Sequence, residues 1–213
     1  MKPENVRVSS PGVDDLYQPG GEKAAYPLIV AAGRLMPPKR FDELIRICLE
    51  VRREHPELEL VIVGDGYQTP HLRDLIRSLD ACDWVRLAGY VSEAEKLSLF
   101  QRAWAVASAS IAEGWGMTLT EAAACGTPAV ATRISGHLDS VVHDESGLLA
   151  TSSREMVEQL SAIITDTELR ARLSEGARKY AAEFTWETCA YRTLASLADD
   201  AHRRRQAGAR KQQ

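Results

Sequence analysis

The sequence has no apolar run near the roughly 18 residues that a membrane span needs. Its first residues, Met1-Lys-Pro-Glu-Asn5, lack the apolar core of a secretion signal. A cytoplasmic protein is therefore expected, touching the inner membrane surface at most. The four cysteines, Cys48, Cys82, Cys125 and Cys189, stand far apart and form no CxxC pair, which argues against a zinc site or a disulfide framework. Cys48 falls in an apolar helical pattern and Cys125 beside small residues, so both read as buried reduced thiols. The formal net charge is only -4, which gives no reason to expect nucleic acid as a partner. There is no G-x-x-x-x-G-K-[ST] loop for a nucleoside triphosphate and no G-x-G-x-x-G after the first predicted strand for NAD. Ser135, His137 and Asp139 lie close in sequence, but without a nucleophile elbow they do not suggest a hydrolase. No repeat of 20–50 residues is present.

What remains is an ordinary globular composition, 45% hydrophobic and 26% charged over 213 residues, enough for one large domain with an appendage. Residues 1–27 carry four prolines and the Gly20-Gly21 pair, and read as a linker with one short strand at Val6–Ser9. From Leu28 short apolar runs alternate with helical segments. The runs are Leu28–Ala32, Glu59–Val63, Val85–Ala88, Ala105–Ala109 and Ala129–Thr132. Continuous apolar runs of this length suit strands buried on both faces. Between them, Phe41, Leu44, Ile45, Cys48 and Leu49 follow helical spacing, as do Leu72, Leu75, Ile76 and Leu79. The alternation predicts an α/β fold, a doubly wound, Rossmann-like parallel sheet, over residues 28–184. After Gly147–Ala150 the chain turns helical, with Ser153 and Thr185 as expected N-caps. Residues 185–202 form a last helix that bears Trp186, Tyr191, Leu194 and Leu197. Residues 203–213 form a basic tail, read as a frayed, solvated terminus in preference to a membrane or partner attachment.

In such a sheet ligands bind beyond the carboxyl ends of the strands, so the residues after each apolar run are the candidates. Arg34 and Lys39 place two cations on the first loop, where a guanidinium fork and an ammonium suit a diphosphate, although a pair of solvated surface charges explains them equally. Gly64-Asp65-Gly66 and Gly89-Tyr90-Val91 follow the second and third runs. Gly114-Trp115-Gly116 precedes a helix over Met117–Cys125, whose first N–H groups and positive dipole end suit a phosphate. Glu113 and Glu121 then flank that helix start and can hold hydroxyls on either side of a phosphate. A bare pair of glutamates eight residues apart is common by chance.

The run from Ser108 through Glu113-Gly-Trp-Gly-Met-Thr-Leu-Thr-Glu121 to Ala131 resembles the E-x7-E signature of glycosyltransferase family 4. Gly33-Arg34-Leu35 with Lys39, His55 to Gly66, and Gly136-His-Leu-Asp139 through Gly147-Leu-Leu fall in the order that family shows, so the resemblance covers about Val6 to Ala190. It implies a GT-B enzyme of two Rossmann-like halves that moves a hexose from a nucleotide diphosphate sugar to an acceptor with retention, without metal or other cofactor. This chain resembles the carboxyl-terminal, donor-binding half. By that resemblance Arg34 and Lys39 hold the diphosphate, Glu113 the donor sugar and Glu121 the ribose. Backbone near Gly89–Val91 meets the base, and amides around Gly116, Met117, Thr118 and Leu119 assist. Gly33, Gly64, Val91 and Gly114 complete the expected donor set, with Glu113, Arg34 and Lys39 as the catalytic group. Arg40, where the family often has glycine, and Trp115, in place of the usual phenylalanine, depart from the pattern in ways that can tune donor choice. Nothing resembles the amino-terminal acceptor domain, so a fragment, a truncated frame or one half of a split enzyme is expected. Self-association through the last helix is a further expectation. The competing readings are a non-catalytic nucleotide-sugar-binding or split-enzyme subunit, and a sugar-nucleotide epimerase.

Overall fold

The computed structural model of the protein describes residues 9–210, with side chains through Arg203. Six strands form one sheet: β1 (Leu28–Ala32), β2 (Glu59–Val63), β3 (Val85–Gly89), β4 (Ala105–Ser108), β5 (Ala129–Thr132) and β6 (Gly147–Ala150). All adjacent pairs are parallel, in the order β3-β2-β1-β4-β5-β6. The helices are α1 (Phe41–Glu54), α2 (Thr69–Ser78), α3 (Glu93–Arg102), α4 (Met117–Ala124), α5 (Ser135–Leu138), α6 (Ser153–Thr165), α7 (Thr167–Ala181) and α8 (Trp186–Arg210). This is the doubly wound, Rossmann-like α/β fold expected from the sequence.

The apolar runs are continuous because both faces of the sheet are covered. In β1, Ile29 and Ala31 join the core beneath α1, α2 and α6, whereas Leu28 and Val30 join the core beneath α3 and α4. A two-residue side-chain period thus divides one unbroken run between two cores. Helix α7 packs on α4 through Ala123, Ala177 and Ala181. Burial pushes the Cys48 and Cys125 thiols up to about 12, so both remain protonated, small apolar fillers.

Several boundaries differ from the sequence reading. β6 opens on Gly147 and has only Leu148, Leu149 and Ala150 as apolar residues, so it did not stand out among the apolar runs, and the one-turn α5 has no periodic signal at all. The N-cap of α6 is Ser152, whose Oγ accepts from Glu155 N at 3.2 Å, one residue before the expected Ser153. The expected strand at Val6–Ser9 lies outside the described residues except for Ser9, which belongs to no strand. Residues 9–27 hold no helix or strand but are not loose: Val13, Tyr17 and Ala24 are buried, and Trp104 Nε1 donates to Ala24 O at 2.8 Å. The tail expected from Arg203 is corrected, since α8 continues to Arg210. Thr185 caps α8 as expected, its Oγ1 accepting from Thr188 N at 3.0 Å. Trp186, Tyr191, Leu194 and Leu197 are 52–74% exposed, an uncovered apolar stripe along that helix.

Between β1 and α1 a single 3-10 turn (Pro37–Lys39) leads to Arg40, which holds φ 49° and ψ 44°. This left-handed conformation costs a side-chain-bearing residue roughly 1–2 kcal/mol, which explains a preference for glycine here. The Arg40–Glu43 ion pair at 3.1 Å is partly exposed and returns a few tenths of a kcal/mol at most. Arg40→Gly is therefore expected to stabilise the fold by about 0.5–1 kcal/mol, a rise of about 1–4 °C in thermal midpoint by calorimetry. An unchanged or lower midpoint would contradict the strain argument.

Candidate functional site

The chain order reverses between β1 and β4, so their following helices leave toward opposite faces and open a crevice at the carboxyl edge. The loops after β1, β2 and β4 meet there. Gly33 N donates to Val63 O at 3.0 Å, Leu35 N to Asp65 O at 3.0 Å, and Ile111 N to Pro38 O at 2.9 Å. Gly64 sits where the first two loops press together, at φ 127°, and a Cβ there would stand 2.0 Å from Gly33 O. No other residue fits that contact.

Two clefts flank Arg34. The first, about 300 Å³, is lined by Gly33, Arg34, Gly64, Val91, Lys96 and Thr118 among others. The second, about 490 Å³, is lined by Arg34, Lys39, Glu113 and Gly114 together with Met36, Pro38 and Ala112. Lys39 Nζ pairs with Glu113 Oε1 at 2.5 Å, and Ser110 Oγ donates to the same oxygen at 2.8 Å. Arg34 is exposed and, among the described residues, pairs with no carboxylate, so its donors are available to an anion between the clefts.

Helix α4 starts from Gly116 in a left-handed conformation (φ 99°). Helix geometry leaves the N–H groups of Met117 and Thr118 without partners inside the helix. The Leu119 amide donates to Gly116 O at 2.9 Å in this structure. Gly116, Met117, Leu119 and Glu121 line neither cleft; they form the helix start between them. Trp115 and Arg40 also line neither. Trp115 packs edge-on against Phe184 at 5.2 Å between ring centroids, so its departure from phenylalanine serves loop packing.

Glu121 is tied to the first cleft through Lys96, whose Nζ stands 3.2 Å from Glu121 Oε2 and 3.1 Å from Glu93 Oε2. The Tyr17 hydroxyl donates to Glu93. Burial pushes the Glu121 carboxyl above its usual range, and Lys96 opposes that shift. Burial alone would lower Lys96, but the Tyr17 hydroxyl, Glu121 and Glu93 outweigh it and hold the ammonium above its ordinary value. Glu121 Oε2 is closed to solvent and lacks a well-aligned hydrogen bond among the described residues. Sequence reasoning missed Lys96 because it searched only the residues just after each strand, and Lys96 stands one turn into α3. Tyr17 and Ser110 carried no separate signal. His143, without a clear role in the sequence, accepts the Leu149 amide at 2.9 Å through Nδ1 and is structural.

The family model for glycosyl transferases group 1 matches residues 14–180, and the chain belongs to this family. It is 34% identical to a D-inositol 3-phosphate glycosyltransferase of Stackebrandtia nassauensis over 95% of this chain and 50% of that protein. The chain thus spans about half the length of the curated relatives it matches. Its fold is similar to Anabaena Alr3699/HepE in complex with UDP-glucose, with TM-score 0.80 and 24% identity over 91% of this chain and 57% of that one. It is also similar to the C-terminal domain of a glycosyl transferase group 1 family protein, LpcC, from Francisella tularensis. There the TM-score is 0.71 with 20% identity, covering 80% of this chain and 97% of that one. Among the described residues no helix is long and apolar enough to cross a membrane.

A buried carboxylate held against its own desolvation penalty points to use rather than stability. Glu121→Gln is expected to leave the thermal midpoint undiminished while weakening the binding of a ligand in the first cleft about tenfold or more, the worth of a charged hydrogen bond. Differential scanning and titration calorimetry on the same variant check both halves. A fall in midpoint with unchanged affinity would make Glu121 structural.

Proposed function

We propose that this chain is the donor-binding half of a glycosyltransferase that transfers a hexose from a nucleotide diphosphate sugar with retention at the anomeric carbon. The observation that carries this reading is the placement of Arg34 between two clefts, with the Lys39–Glu113 pair in one and Lys96–Glu121 beside the other. The nucleoside occupies the first cleft, with backbone at Gly89–Val91 against the base and Glu121 accepting ribose hydroxyls. The hexose occupies the second, with Glu113 accepting from its hydroxyls. The diphosphate then lies against Arg34, Lys39 and the Met117 and Thr118 amides. Lys39, paired with Glu113 in the free protein, exchanges that carboxylate for a diphosphate oxygen and releases Glu113 to the sugar.

Catalysis on this reading is electrostatic. Arg34, Lys39 and the α4 amino terminus stabilise charge gathering on the departing diphosphate, and no metal is required. The similarity to a fold holding UDP-glucose supports a UDP-hexose donor. The acceptor belongs to a facing domain, supplied by the same longer protein or by a separate chain, and the reaction takes place in the cytoplasm. The exposed α8 stripe is in this reading an uncovered face. Self-association through it appears as concentration-dependent sedimentation that Leu194→Glu removes; a monomer at every concentration excludes it.

A nucleoside diphosphate at a hundredfold excess over its Kd should stabilise the chain by about 2.7 kcal/mol, several degrees in midpoint. Arg34→Ala should abolish the shift, and Lys39→Ala should reduce it sharply. No shift with UDP, GDP or ADP would sink the proposal. Formation of an epimerised donor without any acceptor would instead identify an epimerase. Transfer seen only on mixing with a second chain would identify a split enzyme.

A further inference from the structure

Glu113 is held from below by a buried imidazole. His137, in α5, is fully buried. Its Nδ1 lies 2.8 Å from Thr132 O, a group that only accepts, so the proton sits on Nδ1 and Nε2 is left as an acceptor. Nε2 faces Ser108 Oγ at 3.3 Å, Ser108 Oγ stands 3.1 Å from Ser110 Oγ, and Ser110 donates to Glu113 Oε1 at 2.8 Å. This is the oxygen that also meets Lys39. The Ser108 hydroxyl has one proton: turned to His137 Nε2 it leaves no hydrogen bond between Ser108 and Ser110, whose own proton goes to Glu113, so Ser108 supports Ser110 by contact alone.

The backbone repeats the connection. A Cβ at Gly136, the residue before His137, would stand 2.4 Å from Glu113 O, so α5 lies directly against the turn that carries the carboxylate. At the other end of that turn, a Cβ at Gly116 would stand 3.3 Å from His137 Cδ2 and 3.0 Å from Ser140 Oγ. The imidazole is therefore the floor of the Glu113–Gly116 turn. Burial pushes its ionisation down, with the Thr132 carbonyl and Glu113 opposing and Lys39 adding to the shift. The ring is neutral at neutral pH, as the acceptor role of Nε2 requires.

We propose that His137 is a positioning residue for the donor sugar: as the floor of the Glu113–Gly116 turn, with Ser108 held between it and Ser110, it fixes the Glu113 carboxylate in the orientation that receives the hexose. This rests on the donor-site reading above and assigns within it a residue that need not touch the substrate. The quantity affected most is the extra affinity contributed by the hexose through Glu113; the nucleoside diphosphate keeps its contact at Arg34 and loses at most part of what Lys39 and the α4 amides contribute.

Titration calorimetry of the whole chain with UDP and with UDP-glucose separates the two, with GDP/GDP-mannose and ADP/ADP-glucose as alternate pairs. His137→Asn keeps a donor near Thr132 O but loses the group facing Ser108; Ser108→Ala removes the middle link with little change in volume. Both should cut the hexose contribution about three- to tenfold, the range of one neutral hydrogen bond, and cut diphosphate affinity by clearly less. His137→Gln, which returns a polar group near the Nε2 position, should restore most of it. An unchanged hexose contribution in folded His137→Asn and Ser108→Ala variants would overturn the proposal. So would an equal loss of diphosphate and hexose binding, which marks a merely structural role, or a wild-type chain for which the hexose adds no affinity. If the wild type binds none of the three diphosphates, the donor-site reading itself falls and this inference falls with it.

Discussion

The reversal of strand order between β1 and β4 is the constraint on which the rest of the structure depends. Parallel strands must be joined by crossovers of one hand, so winding outward in two directions from the sheet centre sends successive helices to opposite faces. Only at the switch are two neighbouring strand ends free of a covering connection. The loop carrying Arg34 and Lys39 leaves β1 there, and the loop carrying Glu113 leaves β4 there. Residues 74 positions apart in sequence are brought to 2.5 Å by topology alone. Their chemistry is secondary to that meeting.

The site is also where the protein keeps charge out of water. Lys39, Glu113, Lys96 and Glu121 are each no more than about a quarter exposed, and each has an opposite charge beside it. Pairs of this kind contribute little to stability, because desolvation cancels much of the attraction. They do preserve charged groups in a shielded position, ready to exchange a protein partner for a ligand. The fold supplies the rigidity that the pairs do not: two apolar cores on either face of the sheet, and close contacts such as Gly64 against Gly33 O that admit no side chain.

Much of this was legible in the sequence, and the reason differs between parts. The central strands could be read because burial on both faces leaves unbroken runs of Val, Ile and Leu. β6 could not, since it opens on Gly147 and has only Leu148, Leu149 and Ala150 as apolar residues, and one-turn α5 carries no periodic signal. Arg34, Lys39, Glu113 and Gly64 stood out because strand ends are where such folds bind ligands. Lys96 and His137 did not, because each reaches the site from within a helix, and its relevance lies in direction rather than sequence position. Leu119 was included with the donor amides by its place in the first turn. The bond to Gly116 O depends on the left-handed geometry of Gly116, which a sequence does not reveal.

The same topology explains how one sheet edge assembles both clefts in a chain that spans about half the length of its relatives. The groups in the two clefts come from strand ends, loops and the first turns of helices at one edge of one sheet. The 490 Å³ cleft is walled by Met36, Pro38, Lys39 and Gly114. A sugar held by Glu113 would present its remaining face outward. An acceptor must approach from that side, and exclusion of water from the anomeric carbon must come from there too. On the proposed reading donor recognition belongs to a single sheet edge, and group transfer to a surface that faces it.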